Sequence, residues 1–348
     1  MSDPQRIHPR DALFGADEPL PAPLPVCDHY AGVEARMHKS LALQAELGPV
    51  FDVTFDCEDG APVGGEAEHA RMAAELVMSG ANVHDRVGAR VHPVDHPAFA
   101  ADVTTLVGHA GTRLAYLMVP KVRDLAELER ACAQIDHESR VFSLNRTIPV
   151  HALIETHGAL REVDAIAAHP RIESLSFGLM DFVSAHRGAI PAAGMSAEGQ
   201  FKHPLVLRAK LAIAAACHGH AKTPSHCVVT EFNDLKAVDA AATRASHELG
   251  YTRMWSIHPN QIEPIVEAFA PSAAEVEQAI EILVAAQDTQ WAPIRHSLRG
   301  RDTLHDRASY RYFWHVLERA RRTGQPIPVQ VRERFFAETV DATDTPDA

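Results

Sequence analysis

The sequence predicts an α/β fold, a TIM (β/α)8 barrel with a C-terminal helical extension. Three observations carry this. Eight short segments rich in apolar and β-branched residues recur up to residue 257, and each leads into a stretch with helical periodicity. Two of them, Pro149–Glu155 and Ser174–Asp181, are the near-continuous apolar runs of parallel strands buried on both faces, and each closes on a carboxylate. The spacing from 155 to 181, 26 residues, fits one strand, one helix and the next strand.

The elements follow in order. Residues 1–22 form a polar segment with Pro4, Pro9, Pro19 and Pro21, and the first strand is placed at Leu24–Cys27. The second is Val50–Phe55, with a helix over Gly65–Ser79; the third is Ala89–His92; the fourth is Ala115–Val119, with a helix over Leu125–Gln134. The fifth strand, Val150–Ile154, leads into a helix over Gly158–His169, where Leu160, Val163, Ile166 and Ala167 share a face and Pro170 ends it. The sixth strand is Ser174–Phe177, and the helix Pro204–Cys217 precedes the seventh, His226–Val229. The helix Asp234–Leu249 precedes the eighth, Arg253–Ile257; Gly219 and Gly250 suit left-handed helix caps. The barrel is expected over residues 23–272. After Ser272 the pattern reads as helices alone, Ala273–Gln287 and Ala308–Arg322, with a break at Ser297–Asp302. This extension, residues 273–340, carries Tyr310, Tyr312, Phe313 and Trp314, an aromatic set suited to packing, and residues 341–348 read as a disordered tail.

Composition narrows the function. A net charge of −13 without a basic stripe disfavours nucleic acid. The N-terminus lacks an apolar signal region, and no run of about 18 apolar residues follows, so a soluble, cytoplasmic protein without a membrane partner is expected. Five cysteines without a CxxC pair suggest neither a disulfide framework nor a zinc ribbon, and the 22 histidines are scattered without metal-ligand spacing.

The chemistry concentrates at strand ends. In a closed barrel all C-terminal ends open on one rim, where Glu155 and Asp181 can share an ion, and hard carboxylate oxygens favour Mg²⁺ or Mn²⁺. On spacing alone, a helix cap at Asp181 and an arginine partner for Glu155 fit equally well. After the second strand stands Asp56-Cys57-Glu58-Asp59-Gly60. Three acids in four residues repel unless a metal, its waters or an arginine offsets them; an acidic turn in solvent is the alternative. The third strand brings Arg90 to the rim, a guanidinium suited to clamping a carboxylate. The fourth ends Pro120-Lys121, and the eighth reads Ile257-His258-Pro259-Asn260-Gln261.

Taken in order, these motifs resemble the HpcH/HpaI aldolase superfamily, specifically its citrate lyase β-subunit-like and malyl-CoA lyase group. That pattern runs Asp-x-Glu-Asp, Val-Arg-x-Asn, Pro-Lys, Ile-Glu-Thr, Phe-Gly-x-x-Asp and Ile-His-Pro-x-Gln. Here it reads Asp56/Glu58/Asp59, Arg90, Pro120-Lys121, Ile154-Glu155-Thr156, Phe177-Gly178/Asp181 and Ile257–Gln261, within roughly residues 50 to 320. The resemblance implies that Glu155 and Asp181 bind Mg²⁺ and that Arg90 holds an oxyacid or polarises its carbonyl. It implies further that Glu58 and Asp59 order metal-bound water and the arginine, and that Gly178 and Pro259 lie against the substrate. A C-terminal aspartate completes a neighbouring subunit's site in this group. Asp306 matches that position best and Asp302 second, so a homotrimer or homohexamer is implied.

The implied activity is a Mg²⁺-dependent carbon–carbon lyase of retro-aldol or Claisen type, acting on a β-hydroxyacyl-CoA such as malyl-CoA, citramalyl-CoA or citryl-CoA. Its small-molecule partners are then an acyl-CoA, with coenzyme A as part of the substrate, and a 2-oxo acid. Two other readings stand beside it: a class II 2-oxo acid (pyruvate) aldolase that does not use coenzyme A, and a non-catalytic binding subunit. Departures from the pattern bear on coenzyme A. Leu24–Gly32 replaces the Arg-Ser-x-Leu-x-x-Pro stretch that helps hold the nucleotide, His92 stands where asparagine is common, and Ser225-His226 where Ile-Asp is usual. The long His186–His203 loop resembles that of malyl-CoA lyase-type members, and the acyl group depends on the pocket around Ser184–His203.

Overall fold

In the computed structural model, which describes residues 7–298 and 301–336, eight parallel strands close into the expected TIM barrel. They are β1 (Cys27–Ala31), β2 (Phe51–Asp56), β3 (Val87–Arg90), β4 (Leu117–Val119), β5 (Val150–Ile154), β6 (Ile172–Phe177), β7 (Thr223–His226) and β8 (Arg253–Ser256), ordered as in the sequence, with β8 pairing back onto β1. Every strand residue is buried except Glu173 and Trp255, which are partly so. The outer helices bury one stripe each. Glu66–Met78 buries Ala70, Ala73, Ala74, Leu76 and Val77. The helix Leu125–Val141 is capped by Asp124, whose side chain accepts the Glu127 N–H, and it outruns the expected end at Gln134 because Ile135 and Glu138 continue its buried face.

The third strand runs two residues earlier than expected, Val87–Arg90, and two others overlap their expected places by one residue only. β1 starts at Cys27 and takes in Asp28 and His29, and β7 is Thr223–His226 rather than His226–Val229. Polar residues hid both strands, because partners inside the barrel make their burial tolerable. Asp28 Oδ1 accepts from Thr54 Oγ1 (2.6 Å) and Tyr116 OH (3.0 Å), and Oδ2 lies 3.3 Å from Arg253. Arg253, fully buried, also pairs with Asp52 at 2.6 Å, and Asp52 with Arg86. An ionic cluster therefore fills the barrel's lower interior, each charge held by an opposite one, as burial requires.

The expected helix over 158–169 is two helices, His157–Arg161 and Val163–Ala168. They meet at Glu162, whose carboxylate accepts the Leu125 N–H at 2.9 Å. Gly250 adopts the left-handed backbone (φ +72°), whereas Gly219 stays inside the helix Pro204–Gly219 and Ala221 (φ +52°) makes the left-handed turn instead.

The chain divides into two compact units, Pro19–Phe269, which holds the barrel, and the described parts of Met1–Glu18 and Ala270–Ala348. The second unit has helices Pro9–Leu13, Ala273–Asp288, Arg307–Arg322 and Val329–Phe335. Against the expectation of helices alone, it also holds an antiparallel hairpin, β9 (Ile294–Leu298) and β10 (Arg301–His305), at the expected break. Asp302 bonds Arg295 and Ser297 across this ladder, a local pairing that a short, charged strand does not announce in its periodicity. Within this unit Tyr310, Phe313 and Trp314 are buried, and Arg311 pairs with Glu18 at 2.6 Å. Residues 1–6, 299–300 and 337–348, including the tail expected at 341–348, lie outside the described residues. Among the described residues no helix is long and apolar enough to cross a membrane, and all five cysteines are buried and unpaired.

Candidate active site

Glu155 follows β5 directly and is almost fully buried, its Oε1 accepting the Lys121 N–H at 2.6 Å. The next strand ends at Phe177, and Gly178 then passes so close that a Cβ there would overlap the Glu155 carboxylate; only glycine lets the two strand ends approach. Asp181 sits in the first turn of the helix Leu179–Ser184 and makes no cap bond, and among the described residues no arginine pairs with Glu155. Neither alternative to metal binding that the spacing left open is realised. Burial, and then the charge of Asp181, push the Glu155 carboxyl up to about 8, against the Lys121 N–H and Arg90, which lower it.

The acidic turn after β2 is ordered by its first member. Asp56 accepts the Glu58 and Gly60 N–H groups at 2.9 and 2.8 Å, and takes a two-pronged contact from Arg90, Nε at 2.7 Å and Nη2 at 2.5 Å. Arg90 Nη1 lies 3.0 Å from Glu58 Oε2, an ion pair by distance without hydrogen-bond alignment, for that oxygen is buried without a donor. The face of the guanidinium rests on the Tyr30 ring, 5.3 Å from its centroid. Asp56 thus occupies two of the five N–H donors of Arg90, and Nη1 faces Glu58.

Lys121 stands on the rim after β4, and its motif alone assigns it no role. Its ammonium donates to Glu58 Oε1 (2.5 Å) and to both Asp59 oxygens (2.9 and 3.1 Å), and stands 4.0 Å from Asp181. Burial holds the Glu58 carboxyl above its ordinary range despite Arg90 and Lys121. Asp59 is also pushed up by burial, but Lys121 prevails and holds it below. Five carboxylates, Asp56, Glu58, Asp59, Glu155 and Asp181, therefore face two cations, Arg90 and Lys121.

A cavity of about 500 Å³ opens beside this group, lined by Pro93, Lys121, Arg123, Glu155, Thr156 and Asp181 among others. A second, of about 240 Å³, lies at the opposite end of the strands against Leu24, Arg86 and Glu173 and holds none of the candidate residues. A divalent ion fits the chemistry of the first. Glu155 is a buried carboxylate whose charge burial disfavours, next to Asp181, and a dication would favour its ionised form. Among the described residues no group of three or more His, Cys, Asp or Glu gathers as a metal site, so such an ion would complete its shell with water and substrate.

Other expected residues fall elsewhere. Pro259 opens a 3₁₀ turn after β8, next to His258, and is not among the residues lining the cavity. Asp306 belongs to the second unit, where it caps the helix Arg307–Arg322 by accepting the Ala308 N–H at 3.0 Å; Asp302 is engaged in the hairpin. His92 turns to Asp102, its Nδ1 2.6 Å from that carboxylate. His226 has a structural place: its Nδ1 bonds the Cys227 carbonyl, and its Nε2 accepts from the buried Lys210 ammonium at 2.8 Å.

The HpcH/HpaI aldolase/citrate lyase family model matches residues 38–259. The chain belongs to this family. Its matched span takes in Asp56, Glu58, Asp59, Arg90, Lys121, Glu155, Gly178 and Asp181. A solved structure described as a citrate lyase from Burkholderia xenovorans LB400 is 52% identical, with a TM-score of 0.81, and covers 94% of this chain and 100% of that one. An L-malyl-CoA/beta-methylmalyl-CoA lyase of Cereibacter sphaeroides is 30% identical over 246 residues, 68% of this chain and 76% of the relative. The protein CitE from Mycobacterium tuberculosis, solved with magnesium, acetoacetate and coenzyme A, shares the fold at 19% identity (TM-score 0.63; 87% of this chain, 99% of that one).

Proposed function

We propose that this chain is a Mg²⁺-dependent carbon–carbon lyase that cleaves or forms a β-hydroxyacyl-CoA, with a 2-oxo acid as the second product or substrate. Its family and its malyl-CoA lyase relatives make it a carbon–carbon lyase, and the names of those relatives support a CoA ester as the substrate. The single observation that carries the finer reading is the Glu155–Asp181 rim: a buried carboxylate raised to about 8, a second carboxylate that raises it, and Arg90 within electrostatic reach of Glu155.

When bound, Mg²⁺ would supply Lewis acidity at the carboxylate and adjacent oxygen of the 2-oxo acid. Glu155 and Asp181 would hold it. The chain's own residues do the rest. Arg90, its plane fixed by Asp56 and Tyr30, presents its remaining N–H donors where an oxygen gains charge as the carbon–carbon bond breaks, an effect worth about 3–4 kcal/mol per donor in comparable sites. Glu58 and Asp59 keep Arg90 and Lys121 in place. Asp306 of a neighbouring subunit in a homotrimer or homohexamer would exchange the proton at the acyl-CoA α-carbon. Gly178 would admit the substrate's carboxylate beside Glu155, and Pro259 would border the thioester.

A second reading, an aldolase acting on free 2-oxo acids, draws support from β1, where Asp28, His29 and Tyr30 replace the nucleotide-holding pattern. Turnover of a panel of acyl-CoA and 2-oxo acid pairs, with and without Mg²⁺, tests the choice. Mg²⁺-dependent condensation of an acyl-CoA with glyoxylate, pyruvate or oxaloacetate is expected; turnover of pyruvate with an aldehyde acceptor and none with any thioester overturns the CoA reading.

A further inference from the structure

Lys121 has a conformation and a set of partners that a structural lysine does not need. Its backbone is left-handed (φ +51°), uncommon for a residue with a Cβ. That turn does two things at once. It aims the N–H at Glu155 Oε1 (2.6 Å), and it folds the side chain back over the acidic turn, where the ammonium meets Glu58 at 2.5 Å and Asp59 at 2.9 Å while staying 4.0 Å from Asp181. One residue thus touches four carboxylates but neutralises them unequally. Glu58 and Asp59 are occupied by its ammonium, whereas Glu155 receives only a backbone N–H.

We infer that Lys121 sets the ion selectivity of the rim, by withholding Glu58 and Asp59 from the cation so that Glu155 and Asp181 are the only protein carboxylates an ion meets. The inference rests on the Mg²⁺ reading above. Its basis is coordination chemistry. Mg²⁺ is bound through one or two carboxylates and keeps several waters, while Ca²⁺ takes six to eight oxygens in looser geometry and gains from every carboxylate added. Asp59 is largely exposed and can swing once its partner is gone, and Glu58 Oε2 is already a buried oxygen without a donor. Removing the ammonium converts a site with two available carboxylates into one with up to four, and deletes a positive charge beside Asp181. Both ions should then bind more tightly, and Ca²⁺ should gain more.

The test is calorimetric titration of EDTA-treated full-length protein with MgCl₂ and, separately, CaCl₂, for the wild type and for Lys121→Met, Lys121→Gly and Lys121→Arg. Circular dichroism verifies the fold of each. Lys121→Gly relieves the left-handed backbone while removing the ammonium, which separates charge from strain. The expected result is a Ca²⁺-to-Mg²⁺ affinity ratio raised about tenfold or more in both Lys121→Met and Lys121→Gly, and a near wild-type ratio in Lys121→Arg. An unchanged ratio in folded Lys121→Met and Lys121→Gly, with Mg²⁺ binding intact, overturns the inference alone. A wild type that binds neither ion overturns the Mg²⁺ reading and the inference with it.

Discussion

Replacing Glu155 by glutamine removes a buried charge while keeping the shape and an acceptor for the Lys121 N–H. In the metal-free protein the Glu155 carboxyl is raised from its ordinary 4.5 to about 8, by burial first and Asp181 second. A carboxyl whose folded value lies above its unfolded one contributes stability that is fully present below 4.5 and is lost as pH rises through about 8. Glutamine does not titrate. The stability difference between Glu155→Gln and wild type, both in EDTA, should therefore grow in favour of the variant between about pH 5.5 and 8. At about 1.4 kcal/mol per pH unit the growth is about 3 kcal/mol, and other titrating groups largely cancel in the difference. Saturating Mg²⁺ should reverse the order, since ligation holds the wild-type carboxylate ionised and stabilises the folded state by about 3 kcal/mol at a hundredfold excess over Kd, while the variant gains far less. Urea unfolding followed by the fluorescence of the three tryptophans, Trp255 in β8 among them, at several pH values with and without Mg²⁺, measures both effects. A difference that stays flat with pH, or equal Mg²⁺ stabilisation of the two proteins, would refute the placement of the ion on Glu155.

Arg90→Lys should lose nearly as much kcat/KM as Arg90→Ala, about a hundredfold or more, because an ammonium cannot reproduce the two-pronged contact with buried Asp56; wild-type-like turnover of the lysine variant refutes this. Lys210, whose ammonium burial lowers to about 8 from 10.5, contributes a burial cost that disappears as pH rises between those values, so wild type should gain up to about 3 kcal/mol on Lys210→Met over that window. Urea midpoints that run parallel across it would show that the amine is already neutral or solvated. Inactive Asp306→Ala mixed with inactive Glu155→Gln should recover part of the activity as subunits exchange, if a neighbour's tail completes each barrel. No recovery after verified exchange, or a monomer by light scattering, refutes that arrangement.

The barrel was legible where strands are buried by their own composition. Val150–Ile154 was placed to the residue, because a strand buried on both faces leaves an apolar run in the sequence. It was illegible where burial depends on a partner elsewhere in the chain. Asp28 in β1 is stable inside the barrel only because Thr54, Tyr116 and Arg253 converge on it, and no local pattern announces that convergence. The hairpin β9–β10 was missed for a related reason: its five-residue strands are charged, so neither the two-residue nor the helical period stands out.

The same division runs through the site. Glu155 and Arg90 could be read because each stands at the end of an apolar strand, and a strand end in a parallel barrel fixes the rim it faces; Asp181, expected to close the sixth strand, lies instead in the first turn of the helix after it. The relations among them could not. That Asp56 is the clamp of Arg90 rather than one more acid in a cluster depends on a turn whose backbone N–H groups point at its oxygens. That Lys121 reaches back to Glu58 and Asp59 depends on a left-handed backbone that composition does not favour at lysine. Strand ends place the charges, and the turns that follow decide which charges neutralise one another. Among the described residues of this rim, the turns leave Glu155 as the buried carboxylate that accepts no ammonium or guanidinium hydrogen bond, and that deficit is where a divalent ion has most to contribute.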